Sequence, residues 1–164
     1  MKFSIDQSVE VSPATAIAAY ANPAFYESRP SRDNISVLEV VQHAQTGERV
    51  VLDVRFKFSG SVSSAVRAVV DPNKMSWVTH TELALDQLTS TWQIRPDNYP
   101  DRLTGGGRYR FAPGPNGPES TSITIEGEIK VHVPIVGRTV ERVILSGLRS
   151  YIAAEVQGIP DLAG

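Results

Sequence analysis

The chain contains no cysteine in 164 residues. Disulfide frameworks, zinc–thiolate sites and cysteine nucleophiles are thereby excluded. It also has no surplus of positive charge: 16 Lys and Arg stand against 18 Asp and Glu, a formal charge of −2. A nucleic-acid binder needs a basic surface to displace counterions, so no nucleic-acid partner is expected, although a local basic patch is compatible with this balance. No apolar run approaches the roughly 20 residues of a membrane span, so no integral membrane segment is expected. The opening MKFSIDQSVEVS has no basic region followed by an apolar one, which argues against a secretory signal. The default expectation is a cytoplasmic protein. Repeats, low-complexity tracts and linkers are also lacking, so residues 1–164 read as one domain, long enough to bury a real core.

What the chain does have is two-residue alternation, the mark of half-buried strands. In KFSIDQSVEV, Phe3, Ile5, Val9 and Val11 share one face. In VVLDVRFKF the inward set is Val50, Leu52, Val54, Phe56 and Phe58, with Asp53, Arg55 and Lys57 outward. In TSITIEGEIKVHV, Ile123, Ile125, Ile129, Val131 and Val133 alternate with polar residues. Weaker strands are read at 34–45, 75–84, 87–95 and 102–111, which makes seven. Gln45-Thr46-Gly47-Glu48 predicts a tight hairpin. Residues 95–100 and 113–118, rich in Pro, Gly and Asn, predict longer polar connections. Short links between successive strands favour an antiparallel sheet.

Helices are expected at both ends. Ser12-Pro13 gives an N-cap followed by proline at the first helical position; that helix runs to Tyr20, and Asn22-Pro23 breaks it before a second short one. Residues 62–70 are read as a turn of helix. The last helix follows Pro134 and runs to about Gln157, where Gly158 and Pro160 stop it. Spaced at 100°, Val136, Val140, Val143, Ile144, Leu148, Tyr151, Ile152 and Ala154 form an apolar arc, with Arg138, Arg142 and Arg149 on the opposite face. Gly147 falls near the centre of that arc, where glycine costs about 1 kcal/mol against alanine. Either a bulky neighbour fills the notch, or the notch borders a cavity. Glu141 and Glu155 lie at or inside the edge of the arc; the ordinary expectation is that they reach water, the alternative a buried acid with a raised pKa.

The element order and the ending "strand, Pro, Gly, long amphipathic helix" resemble the helix-grip fold of the START-like superfamily, also called the SRPBCC or polyketide cyclase–birch pollen allergen group. The residues carrying the resemblance are KFSIDQSVEVSPATAIAAYANPAFY, SITIEGEIKVHVP and IVGRTVERVILSGLRSYIAAEV. The chain closely resembles the actinobacterial branch whose members are labelled only as domains of unknown function. The resemblance implies an α+β domain: a curved seven-stranded antiparallel sheet wrapped around a long C-terminal helix, two short helices after the first strand, and a cavity for a hydrophobic small molecule between sheet and helix.

On that implied fold, Trp77, Thr79, Thr81, Ser90, Trp92, Tyr109 and Ile125 face inward from the sheet, and Ile144, Gly147, Leu148 and Tyr151 face them from the helix. Aromatic walls with a few hydroxyls are what ligand pockets use, yet both tryptophans could equally be plain core, and a one-residue slip would turn every strand position outward. Gly105-Gly106-Gly107 is not a phosphate loop, because no strand-to-helix turn follows it; it reads as a bulge or a sharp coil, with a flexible entrance lip as the alternative. His43, His80 and His132 have no metal-ligand spacing, so neither a metal nor a cofactor is expected. No Ser–His–acid arrangement can be assembled from inward positions. The expected function is binding of a lipid or polyketide-like compound. A cyclase or dehydratase type of enzyme is the alternative, for which Thr79, Thr81, Tyr109 and Tyr151 would be the only polar candidates, and a module with a protein partner is a third. The residues thus leave an enzyme uncertain and weigh against one.

Overall fold

The computed structural model describes residues 1–29 and 34–163. Strand β1 (Lys2–Val9) leads into helices α1 (Pro13–Ala21) and α2 (Pro23–Glu27). Six strands follow: β2 (Ile35–Thr46), β3 (Arg49–Phe58), β4 (Ser76–Ala84), β5 (Thr89–Pro96), β6 (Leu103–Gly114) and β7 (Gly117–Val131). A short helix α3 (Ser64–Arg67) and a 3-10 turn (Pro72–Lys74) lie between β3 and β4; α4 (Gly137–Gln157) and α5 (Ile159–Ala163) close the chain.

Local chemistry explains the helix boundaries. The Ser12 side chain accepts the Thr15 N–H at the start of α1, and Pro13 supplies the preset φ. Asn22 works twice. Its backbone N–H goes to the Ala19 carbonyl and ends α1, while its side-chain oxygen accepts the Ala24 N–H and starts α2.

The strands form one antiparallel sheet in the order β1-β7-β6-β5-β4-β3-β2. β2 to β7 run as a meander, and β1 pairs with β7, Ile5 opposite Ile125. Curvature turns one face inward, and the core lies between that face and the helices: Ile5, Leu52, Ile123, Ile125, Ile129 and Ile152 are almost fully buried. β2 is an edge strand, interrupted by register shifts between Val37 and Glu39 and between Val40 and Gln42; such bulges protect an open edge from further pairing.

Two local expectations are corrected. The β6–β7 link is a two-residue turn at Pro115-Asn116, not a long connection, because Gly117 takes a φ of 101° and the Ser120 hydroxyl both accepts the Asn116 N–H and donates to the Gly117 carbonyl. Helix α4 ends at Gln157 with Gly158 as its C-cap, as expected, and the short α5 follows directly. The triple glycine contains no bulge: residues 105–107 hold unbroken register with β5 and β7. What glycine permits there is close approach. A Cβ on Gly107 would lie 1.9 Å from the Glu126 carbonyl oxygen.

Helix α4 packs against β1 and β7. Its buried stripe is Glu141, Leu145, Ile152 and Val156; it overlaps the edge of the predicted arc at Ile152 and extends past it to Leu145 and Val156, while Val143 at the other edge is exposed. Glu141 does not reach water. Its carboxylate accepts the Val131 N–H at 3.0 Å, at the end of β7, and stands 3.5 Å from the N-terminal ammonium. The Val131 bond, more than the positive charge nearby, holds its pKa below the usual carboxylate range. A group with a depressed folded pKa contributes stability that is present above its unfolded pKa and lost as pH falls through the folded one. Glu141→Gln is expected to cost about 1 kcal/mol at neutral pH, and this difference should vanish in acid; urea unfolding at the two conditions measures it.

Candidate functional site

Between the inner face of β3–β7 and helix α4 lies a cavity of about 190 Å³. A dry apolar cavity of about 150 Å³ is enough to take benzene. The walls are predominantly apolar. The helix contributes Val140, Ile144, Gly147, Leu148 and Tyr151, and the sheet contributes Val54, Phe56, Leu83, Ile94, Ile125 and Ile129. Thr79, Thr81 and Ser90 add hydroxyls from β4 and β5.

All eleven residues singled out from the sequence (Trp77, Thr79, Thr81, Ser90, Trp92, Tyr109, Ile125, Ile144, Gly147, Leu148 and Tyr151) line this one space. The strand register is what brings them together: Thr81 stands opposite Trp92, and Ser90 opposite Tyr109. Gly147 is among the residues that border the cavity. The helix carries two adjacent stripes: Glu141, Leu145, Ile152 and Val156 are buried, while Val140, Ile144, Gly147 and Leu148 line the cavity and are half-buried.

Trp92 lies across the sheet. It stands opposite Gly107, which stands opposite Gly127, which stands opposite Phe3. A Cβ on Gly127 would meet the indole at 2.5 Å, and the Trp92 and Phe3 rings are 6.0 Å apart. Gly127 therefore leaves room for the indole to lie against the sheet.

The two ends differ. One is rimmed by exposed Lys74 and Arg102 and half-buried Asn98 and Tyr99. The other is closed by buried Tyr20, Tyr26, Tyr151 and Glu155. Glu155 is 3% exposed, against the ordinary expectation for an acid near a helix end. Burial pushes its carboxyl pKa up; Arg29 opposes this. The Arg29 guanidinium lies 3.5 Å from the Glu155 carboxylate and donates to the backbone carbonyls of Glu155 and Phe25, each at 2.9 Å. It also covers the Phe25 ring at 3.8 Å. Burial, then the Glu155 charge, raises the pKa of Tyr20, Tyr26, Tyr109 and Tyr151. These phenols are neutral and able to donate. The Tyr26 hydroxyl donates to the Tyr20 carbonyl. Those of Tyr20 and Tyr151 lie near Glu155 and Arg29 respectively, but neither closes a hydrogen bond of proper geometry, and the Trp92 indole N–H has no partner either.

Sequence reasoning passed over Tyr20, Tyr26 and Arg29 and gave Glu155 the wrong surroundings. For Glu155 the signal was present: it falls four residues after Tyr151 on the arc of Ile144 and Leu148. For Arg29, far from Glu155 along the chain, there was none. His80 and His132 face outward as expected, His80 toward Asp53 and Glu82 and His132 toward Thr104. Among the described residues no group of three or more His, Asp and Glu side chains is placed to hold a metal ion, and no helix is long and apolar enough to cross a membrane.

A curved antiparallel sheet gripping a long C-terminal helix over an internal cavity is a helix-grip fold. Solved structures agree on the fold. The protein TTHA0849 from Thermus thermophilus superposes with a TM-score of 0.65 at 14% identity, over 99% of this chain and 97% of that one. The Zhui aromatase/cyclase from Streptomyces sp. R1128 gives 0.64 at 9% identity, over 99% and 93%. A START superfamily protein from Mycobacterium smegmatis gives 0.62 at 16% identity, over 98% of each chain. No curated protein matches the sequence. Within this class the chain belongs to the family described as protein of unknown function DUF2505, whose model matches residues 4–159.

Proposed function

We propose that this protein, acting as a single domain over residues 1–164, binds a hydrophobic small molecule, lipid or polyketide-like, in the cavity between the sheet and α4. The carrying observation is the apolar-walled space itself. Val140, Ile144, Gly147 and Leu148 of α4 line it and are only half-buried. A ligand burying about 300 Å² of apolar surface would gain about 7 kcal/mol before the cost of association. Thr79, Thr81 and Ser90 would orient it. The likeness to an aromatase/cyclase supports the polyketide-like side of this reading. A module whose only role is to dock another protein predicts a filled interior, and this interior is not filled.

Filling the notch tests the proposal. Gly147→Leu is expected to keep the fold, since leucine favours helix over glycine, and to weaken binding of the apolar fluorophore 1-anilinonaphthalene by tenfold or more. Unchanged affinity in a folded variant would count against the cavity as the binding site.

One observation favours a second reading, a cyclase or dehydratase type of enzyme. A buried acid and several neutral phenols converge at the closed end, and a carboxyl with a raised pKa is suited to moving a proton near neutral pH. In this reading Glu155 takes the proton from the carbon beside a ligand carbonyl. Deuterium exchange at that carbon of 2-tetralone, followed by NMR, would be accelerated by the protein and not by Glu155→Gln; equal rates would remove the enzyme reading.

A further inference from the structure

We propose that the closed end of the cavity is a polar subsite, built by Tyr20, Tyr151 and Glu155, for the uncharged hydroxyl or carbonyl oxygen of an amphiphile that enters oxygen-first. The inference rests on the cavity being the binding site and names the class of ligand it takes.

The first observation is an accounting gap. Buried polar groups almost always have a partner, and leaving one without is costly. Tyr20 and Tyr151 are 5% and 8% exposed, both line the cavity, and neither hydroxyl closes a hydrogen bond of full geometry, although Glu155 stands near the first and Arg29 near the second. Two unsatisfied hydroxyls at the same end of the same cavity form a ready-made seat for a hydrogen-bonding atom. A packed core would have phenylalanine at both positions. The Trp92 indole N–H, also buried and unpartnered on the wall, can only donate, so it asks for a second oxygen acceptor along the ligand body.

The second observation is charge. A fatty-acid carboxylate placed at this end would meet Glu155, and it would need a cation to replace its water. Among the described residues, Arg29 is the cation there, and it is already committed to the Glu155 carboxylate and to two backbone carbonyls. Lys74 and Arg102 stand at the opposite end. An anionic head is therefore directed to the rim, and a neutral oxygen to the floor. Phenol hydroxyls beside a carboxylate suit a neutral hydroxyl well, because they donate to its oxygen while the carboxylate accepts its hydrogen.

The experiment uses three probes with one ring system, 2-naphthol, 2-methylnaphthalene and 2-naphthoate, titrated calorimetrically into the whole protein. The wild type is expected to bind 2-naphthol at least tenfold more tightly than the other two. In Tyr20→Phe/Tyr151→Phe the advantage over 2-methylnaphthalene should fall below threefold, with the affinity for 2-methylnaphthalene unchanged. That variant loses two unpartnered buried hydroxyls and should melt no lower than the wild type; the two single variants, each with part of the effect, stand in if it misfolds. Equal affinity for naphthol and methylnaphthalene would overturn the subsite, and so would a preference that survives both substitutions. Tightest binding of naphthoate that falls with the two tyrosine substitutions would assign the floor to an anion and overturn the neutral-oxygen subsite. No binding of any probe would instead contradict the cavity reading on which the subsite rests.

Discussion

Arg29→Met is expected to destabilise the protein by about 3–5 kcal/mol, because it leaves a carboxylate buried without its counter-charge. For a chain of this size that corresponds to a fall in Tm of roughly 6–20 °C. The size follows from the geometry: the guanidinium and the Glu155 carboxylate are 3.5 Å apart with side-chain exposures of 14% and 4%, so water cannot take over. Two further measurements separate this cause from simple loss of packing. With Arg29 gone, the main opposition to the upward push of burial on Glu155 is lost, and only the nearby Tyr20 hydroxyl still works against it. An acid whose folded pKa is raised loses stability as pH climbs from its unfolded toward its folded pKa, so the deficit of the variant should shrink in mild acid. The double variant Arg29→Met/Glu155→Leu, with no buried charge, should recover at least half of the loss at neutral pH. A single variant within about 1 kcal/mol of wild type in urea unfolding would show that the pair is not the tie described here.

The second large effect lies in the glycine triplet. Gly107→Ala is expected to cost about 3 kcal/mol or more, at the far end of what point substitutions do. Its new methyl would sit 1.9 Å from the Glu126 carbonyl oxygen, and that neighbour is backbone in the middle of a ladder. Gly105→Ala, two residues earlier on the same face, meets the Ile94 Cδ1 at 2.9 Å, the far end of a flexible side chain, and should cost about 1 kcal/mol. The contrast between the two in thermal unfolding is diagnostic. Equal costs would mean that general strand propensity is at work and that the close approach of β6 and β7 is not.

Much of this was legible in the sequence, for specific reasons. Ser12-Pro13 and Asn22-Pro23 are short-range signals, and both caps form as their side-chain chemistry dictates. The alternation in β7 is long enough to fix which face is inward; once that face is fixed, pairing carries Ser90, Trp92 and Tyr109 to the cavity side. Gly147 stood out because a good helix had no local reason to hold it. Other features depend on pairs distant in sequence. The helix arc marks Glu141 and Glu155 as acids near an apolar face, but their partners, Arg29 for Glu155 and the Val131 N–H for Glu141, are announced by no local pattern. The helix arc was also too coarse a guide: it shows an apolar face, but not that one half packs on β1 and β7 while the other half stands over open space. The turn at Pro115-Asn116 was misread because composition suggested a loop, whereas one serine and one left-handed glycine make it tight.

The measurement that tests the central claim most directly is native mass spectrometry of the purified protein, followed by denaturing extraction and identification of whatever is released. The account predicts a reproducible added mass from an apolar compound with at least one neutral oxygen, absent from Gly147→Leu although that variant stays folded. A clean unliganded mass, with no uptake from a panel of lipids and polyketide-like compounds, would contradict it.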